Sequence, residues 1–231
     1  MHLTIGNKCY SSWSLRPWLL MRALDIPFDE TVVPLDTPEF AEHKAKVRND
    51  LGATGAVPML RDGDVVIWET MAIIEYLADR FPDKDVWPSE RAARAHARSI
   101  ANEMHAGFGA IRSACPMNLG KTFATRDRGA SVAADVARIS DLWRAARNRF
   151  GAGHGPFLYG TFTAADAMYA PVVTRLDTYS FDVDTETRNY MDAVLAHGAF
   201  VDWKQAALLE TWIVPGDEVD EPAIENLRPQ L

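Results

Sequence analysis

Two cysteines in 231 residues, Cys9 and Cys115, are too few for a disulfide framework, and that scarcity points to a reducing cytoplasm. No apolar run approaches the ~18 residues that a membrane span needs, so no membrane segment is expected. The opening stretch MHLTIGNK also lacks the apolar core of a secretory leader. Basic residues are outnumbered, 24 Lys and Arg against 32 Asp and Glu, for a formal charge of −8. General nucleic-acid binding needs a basic face and is disfavoured by that balance. The six histidines and two cysteines show no ligand spacing, so no metal site is expected. Internal repeats and low-complexity tracts are absent as well.

What the chain does hold is apolar bulk. Hydrophobic residues make up 48%, with seven tryptophans and ten phenylalanines, enough for one large domain or two modest ones. The first eighty residues read as HLTIG, a strand, SLRPWLLMRAL, an amphipathic helix, and TVVPL, a second strand. Residues 36–56 show no clear period. VPMLRDGDVVIW then has the form of a hairpin turning at Asp62-Gly63. A helix with Ile73, Ile74, Leu77 and Phe81 on one face follows, with Thr70 placed as its cap.

FPDKDVWPSE, with two prolines, reads as a linker over 82–89. Beyond it every segment is helical. The first, ERAARAHARSIANEMHAGFGAIR, is long and alanine-rich. Another ends at GAGHGP, and a third opens on the capping-box pattern Thr163 to Asp166. Two shorter helices finish the body, and an irregular tail is expected over the last fifteen residues. The division predicted is an α/β domain over 1–81, the linker, and an all-helical domain over 90–231.

Three places carry candidate chemistry. In NKCYSSWSLRP, Pro17 belongs in a first helical turn, which puts the helix start near Ser14 as N-cap. Ser11 and Ser12 then lie at the positive end of that helix, a place suited to an anion or a thiolate, although all three serines also serve as ordinary turn and cap residues. No G-x-S-x-G elbow surrounds them, which argues against Ser-His-Asp hydrolysis. Pro58 at the mouth of a strand suggests a cis Val57-Pro58 bond or an edge strand. Glu69-Thr70, at a helix N-terminus, matches the ammonium and carboxylate of an amino acid, or is an ordinary capped helix.

Together these places resemble the glutathione-binding half of the cytosolic glutathione transferases, and SSWSLRP is similar to the serine motif of the zeta class. The resemblance implies a thioredoxin-like domain followed by a helical one, with glutathione as co-substrate. It places Ser11 as the catalytic serine with Ser12 assisting. Ser14, Val57, Pro58, Glu69 and Thr70 fall in the glutathione site, with Val57 pairing the cysteinyl part and Glu69-Thr70 the γ-glutamyl end. The electrophile pocket falls between the serine loop and the first long helix of the second domain, where Met104, Phe108 and Arg112 share a face. It implies a homodimer in the cytoplasm.

A glutathione-bound thiol near its free pKa of about 8.5 is only a few per cent ionised at neutral pH. Lowering that value by ~2 units takes about 2.7 kcal/mol. A helix N-terminus contributes up to ~2 kcal/mol and a hydrogen bond to a charged group ~1.5–3 kcal/mol, so the two together suffice. The expected activity is therefore addition of a serine-stabilised thiolate to a small electrophile. Cis-trans isomerisation of the maleylacetoacetate type is an alternative. The zeta arginine for the substrate carboxylate falls near Thr178 here, with Arg175 one turn earlier, and a zeta glutamine falls at Gly109. Trp13 also stands where zeta enzymes carry cysteine. A non-catalytic glutathione-binding module is a further alternative. A thiol-disulfide enzyme is disfavoured, because Cys9 lies two residues before the catalytic place.

Overall fold

The computed structural model describes residues 1–228. Its first half is built on β1 (His2–Ile5), buried on both faces, with Leu3 and Ile5 on one and Thr4 on the other. β2 (Asp29–Val32) runs parallel to β1, with His2 opposite Asp29 and Ile5 opposite Val32. A parallel pair needs a crossover, and α1 (Ser12–Ala23) supplies it. β3 (Met59–Asp62) lies antiparallel on the other flank of β1, and β4 (Val65–Trp68) follows as the hairpin partner. Gly63, at φ +58°, makes the tight turn between them. The result is a mixed four-stranded sheet in the order β2-β1-β3-β4, closed by α3 (Thr70–Arg80).

The helical half comprises α4 (Arg91–Ala106), α5 (Gly109–Ala114), α6 (Ala130–Ala146), α7 (Ala164–Thr178), α8 (Thr185–Leu195) and α9 (Gly198–Leu208). Its centre is α7, buried almost throughout, which packs against α1, α4 and α8. α7 starts on a complete capping box. Asp166 accepts from Thr163 N at 2.9 Å and from Leu158 N at 3.0 Å. Burial pushes the Asp166 carboxyl up to about 6 against those hydrogen bonds. α1 meets α3, α7 and α9 and is buried from Ser14 to Met21, so it is the helix that ties the two halves together.

The structure corrects the sequence reading at five points. α1 begins at Ser12 with Ser11, not Ser14, as N-cap. Residues 36–56 contain α2 (Pro38–Leu51), capped by Thr37 and ended by Gly52 at φ +65°. Only Val47 of α2 is buried, so the helix leaves almost no apolar period to detect. Glu69 rather than Thr70 occupies the N-cap of α3, at φ +71° and with no side-chain capping bond. The long alanine-rich helix breaks at Gly107-Phe108, where a Cβ on Gly107 would stand 2.7 Å from the Glu103 carbonyl and Phe108 turns left-handed at φ +56°. Finally, the tail carries β6 (Ala223–Asn226), paired antiparallel with β5 (Lys121–Phe123), so the second half is not purely helical. The rest of the expected tail and domain, 229–231, lies outside the described residues.

Candidate active-site cleft

The loop leaving β1 folds on its own backbone before α1 begins. The Asn7 carbonyl accepts from Tyr10 N at 3.2 Å and Ser11 N at 2.8 Å, while Asn7 Oδ1 accepts from Leu35 N at 2.8 Å. From the far end of the chain, the Glu210 carboxylate accepts from Lys8 N at 2.8 Å and Cys9 N at 3.1 Å, and Trp203 Nε1 donates to the Lys8 carbonyl. Lys8 itself is buried, paired with Glu30 and flanked by the rings of Trp18 and Trp203. The approach to Ser11 is thus held from β2, α1 and α9 at once.

Ser11 caps α1, its Oγ lying 3.4 Å from Ser14 N and 2.7 Å from Ser14 Oγ. Ser11 lines a cleft of about 550 Å³ between the two halves. Tyr10, Ser12 and Trp13 line the same cleft, as does Val57, which precedes the cis peptide to Pro58. The helical half contributes Arg112 and Arg175, and the tail contributes Asp217. Ser14, expected in the glutathione site, is fully buried behind Ser11 and is not among the residues that line the cleft. Pro58 is buried behind Val57. Glu69 is exposed at the start of α3, and the Thr70 hydroxyl is taken up by the Trp13 carbonyl at 3.2 Å.

Of Met104, Phe108 and Arg112, expected to line an electrophile pocket together, Arg112 alone lines this cleft. Met104 is fully buried in the core and Phe108 sits at the helix break with 8% exposure, and neither lines the cleft. The shared face assumed an unbroken helix, and the break at Gly107 removes it.

The electrostatics of the cleft are dominated by arginine. The guanidinium of Arg16 lies 4.2 Å and that of Arg112 4.8 Å from the Trp13 ring centre, so the indole is held by two cations. Arg16 is buried, its Nε donating to the Met168 carbonyl and an Nη to the Ser12 carbonyl. Burial, and then the charges of Arg175 and Arg112, pull Arg16 below its ordinary range. Burial followed by Arg112 brings Arg175 down to about 10, which still leaves it charged at neutral pH. Opposite them, burial raises the Asp217 carboxyl while Arg175 pulls it back.

Both cysteines are buried and neither lines the cleft. Burial pushes the Cys9 thiol up and that of Cys115 up to about 11, so both stay protonated at neutral pH. Among the described residues no cluster of His, Cys, Asp and Glu is arranged to hold a metal ion, and no helix is long and apolar enough to cross a membrane. A second hollow of about 510 Å³ lies at the start of α6. Its arginines, Arg126, Arg128 and Arg144, are ion-paired with Glu221, Asp141 and Asp184.

This arrangement has clear relatives. The family profile for the glutathione S-transferase N-terminal domain matches residues 10–80, and that for the C-terminal domain matches residues 129–208. The chain belongs to the glutathione S-transferase family. Like other members of that family, it joins a thioredoxin-like domain to a helical one. Glutathione S-transferase 1 of Dianthus caryophyllus is 30% identical over 46% of this chain and 46% of its own length. Glutathione S-transferase GstB of Escherichia coli K12 is 32% identical over 41% and 45%, and a probable maleylacetoacetate isomerase of Caenorhabditis elegans 34% identical over 39% of each. These matches span less than half the length of each curated relative. A glutathione transferase homologue from Burkholderia with bound glutathione has the same fold, at a TM-score of 0.65 and 18% identity, covering 89% of this chain and 97% of that one.

Among the cleft residues that sequence reasoning missed are Tyr10 and Asp217. Asp217 lies in a tail that reads as irregular, and nothing in its sequence marks it as reaching the first domain. Tyr10 sits inside the serine motif but carries no spacing signal of its own.

Proposed function

We propose that this protein is a serine-type glutathione transferase: it binds glutathione in the cleft, Ser11 donates a hydrogen bond to the glutathione thiolate, and the thiolate adds to a small electrophile. The observation that carries this reading is the position of Ser11, the N-cap of α1, lining a two-domain cleft beside Val57 and its cis-proline. Two further features support it. The Trp13 N–H, in the first turn of α1, has no protein acceptor among the described residues, which adds a donor beside Ser11. Both cysteines are buried and protonated, which leaves the ligand to supply the sulfur.

In this reading the Val57 backbone pairs with the cysteinyl part of glutathione. The γ-glutamyl end sits at the start of α3, with its ammonium on the Glu69 carboxylate and its carboxylate on first-turn amides. The Thr70 hydroxyl is already engaged by Trp13, so Thr70 contributes its backbone N–H. Ser12 assists from the first turn. Homodimerisation and a cytoplasmic setting belong to the same proposal.

Glutathione-dependent cis-trans isomerisation is a second reading, favoured by Arg112 and Arg175 facing the cleft together, where an anionic substrate group meets two cations. A maleyl pyruvate isomerase of the zeta class also shares the fold, with a TM-score of 0.62, 19% identity and coverage of 96% and 100%.

The test is glutathione titration by calorimetry alongside conjugation assays, on the wild type and on Ser11→Ala. Binding in both with turnover lost in the variant supports the proposal. Binding with no turnover of any electrophile or isomerisable acid in the wild type supports a binding module instead.

A further inference from the structure

The Ser11 hydroxyl has one proton, and the proposed mechanism needs that proton to point at sulfur. In the folded chain another hydroxyl competes for it. Ser14 Oγ stands 2.7 Å from Ser11 Oγ, and it already accepts from the backbone N–H of Gly6 at 3.0 Å. Ser14 is fully buried on the inner side of α1, one turn below its cap, so water does not serve as its partner. Its own proton therefore needs a protein acceptor, since a buried hydroxyl left without one is costly. The partner within reach is Ser11 Oγ at 2.7 Å, a hydroxyl that can accept from Ser14 as well as donate to it.

We propose that Ser14 is a positioning residue, donating its proton to Ser11 Oγ and so leaving the Ser11 proton free for the ligand's sulfur. This inference rests on the reading of Ser11 as the thiolate donor. The hydrogen bonds then run in one direction: Gly6 N–H to Ser14 Oγ, Ser14 O–H to Ser11 Oγ, Ser11 O–H to sulfur. Ser14 N–H, at 3.4 Å, is a second and weaker donor to Ser11 Oγ. With its acceptor positions filled from inside the helix, Ser11 has a single use left for its hydrogen. A chain of this kind also polarises the last donor, because each hydrogen bond strengthens the next. Nothing is transferred along it: the thiol proton leaves to solvent, and the serine protons stay on their oxygens. The charged groups facing the same space are Arg112 and Arg175 of the helical half and Asp217 of the tail, with Arg16 beneath Trp13. None of them contacts Ser14 through a hydrogen bond.

The experiment is a double-mutant cycle read by the thiolate absorbance of bound glutathione across pH, using the wild type, Ser14→Ala, Ser11→Ala and the double variant. Ser14→Cys, which fills the same space with a weak donor, guards against a packing effect. Melting temperature and glutathione affinity are measured alongside. The expected result is a rise in the bound thiol's pKa on the order of 0.5 unit in Ser14→Ala and Ser14→Cys. Glutathione affinity stays near the wild-type value, and Ser14→Ala adds no shift in the Ser11→Ala background. A Ser14→Ala protein that binds glutathione with unchanged thiol pKa, while Ser11→Ala raises it, overturns the inference and spares the role of Ser11. The same shift with and without Ser11 also overturns it. If Ser11→Ala moves nothing, the parent reading falls and this inference with it.

Discussion

The Thr70 hydroxyl donates to the backbone carbonyl of Trp13 at 3.2 Å. In a regular helix that carbonyl receives the N–H of residue 17, but residue 17 is proline and has none. A side chain from the start of α3 thus supplies the bond that α1 lacks, one residue from Ser12 and two from Ser11. Thr70 is 1% exposed, so the donor end of this part-buried bond is sheltered from water.

Replacing Thr70 with valine keeps the shape and removes the donor. Leaving this part-buried carbonyl unpaired costs about 1 kcal/mol, the low end of the penalty for a buried acceptor. Urea unfolding should show that loss in Thr70→Val and little change in Thr70→Ser. Equal stability in all three would mean that the Trp13 carbonyl finds another partner.

Arg112 and Arg175 set the charge of the cleft, with Asp217 as the acid facing them. Arg175 is tied down by the Cys115 and Pro171 carbonyls, so Arg112 is the safer one to remove. Arg112→Ala should lower kcat/KM for carboxylate-bearing electrophiles roughly tenfold or more, as loss of one charged hydrogen bond implies, and leave neutral ones within about threefold. Parallel assays on a charged and a neutral electrophile of similar size decide it. An equal loss for both would assign Arg112 to holding Trp13 rather than to substrate choice.

Glu218 binds the tail to the serine loop. Its carboxylate accepts from Tyr10 Oη at 2.6 Å, Asn118 Nδ2 at 3.1 Å and Lys121 Nζ at 2.5 Å. Burial alone would raise its pKa, and the bonds from Lys121, Tyr10 and Asn118 outweigh that, so it lies below the ordinary value. A lowered folded pKa gives stability that is present above the unfolded value and lost as pH falls through the folded one. Glu218→Ala should speed amide exchange across 214–228 roughly thirtyfold at neutral pH, the equivalent of about 2 kcal/mol of easier opening, with β1 unchanged. In the wild type the same segment should loosen when the pH drops below about 4.5, the ordinary carboxylate range. Exchange rates that ignore both changes would show that β5–β6 pairing alone holds the tail.

Much of this was legible beforehand because the apolar periods are strong where burial is strong. The helix of α7 and the hairpin at Gly63 announce themselves by a capping box and a turn glycine. The failures have physical causes. α2 buries only Val47, so its pattern is nearly silent. The break at Gly107 depends on a close approach to the Glu103 carbonyl that no one-dimensional pattern displays. The expectation of Ser14 as cap places Pro17 in the first turn, and it fails because Pro17 sits deeper in α1, where the Thr70 side chain replaces the missing donor. Asp217 comes from a tail whose placement is set by Glu218, Lys121 and strand pairing, all long-range.

Ionisation of glutathione in the cleft is where the proposed role of Ser11 meets its most direct test. Thiolate absorbance should be titrated against pH with glutathione bound, in the wild type and in Ser11→Ala. A thiolate largely formed at neutral pH in the wild type, with the pKa raised by about 1–2 units in the variant and affinity nearly intact, is the predicted result. A low thiol pKa that survives Ser11→Ala, or affinity that collapses while the pKa stays low, would contradict it.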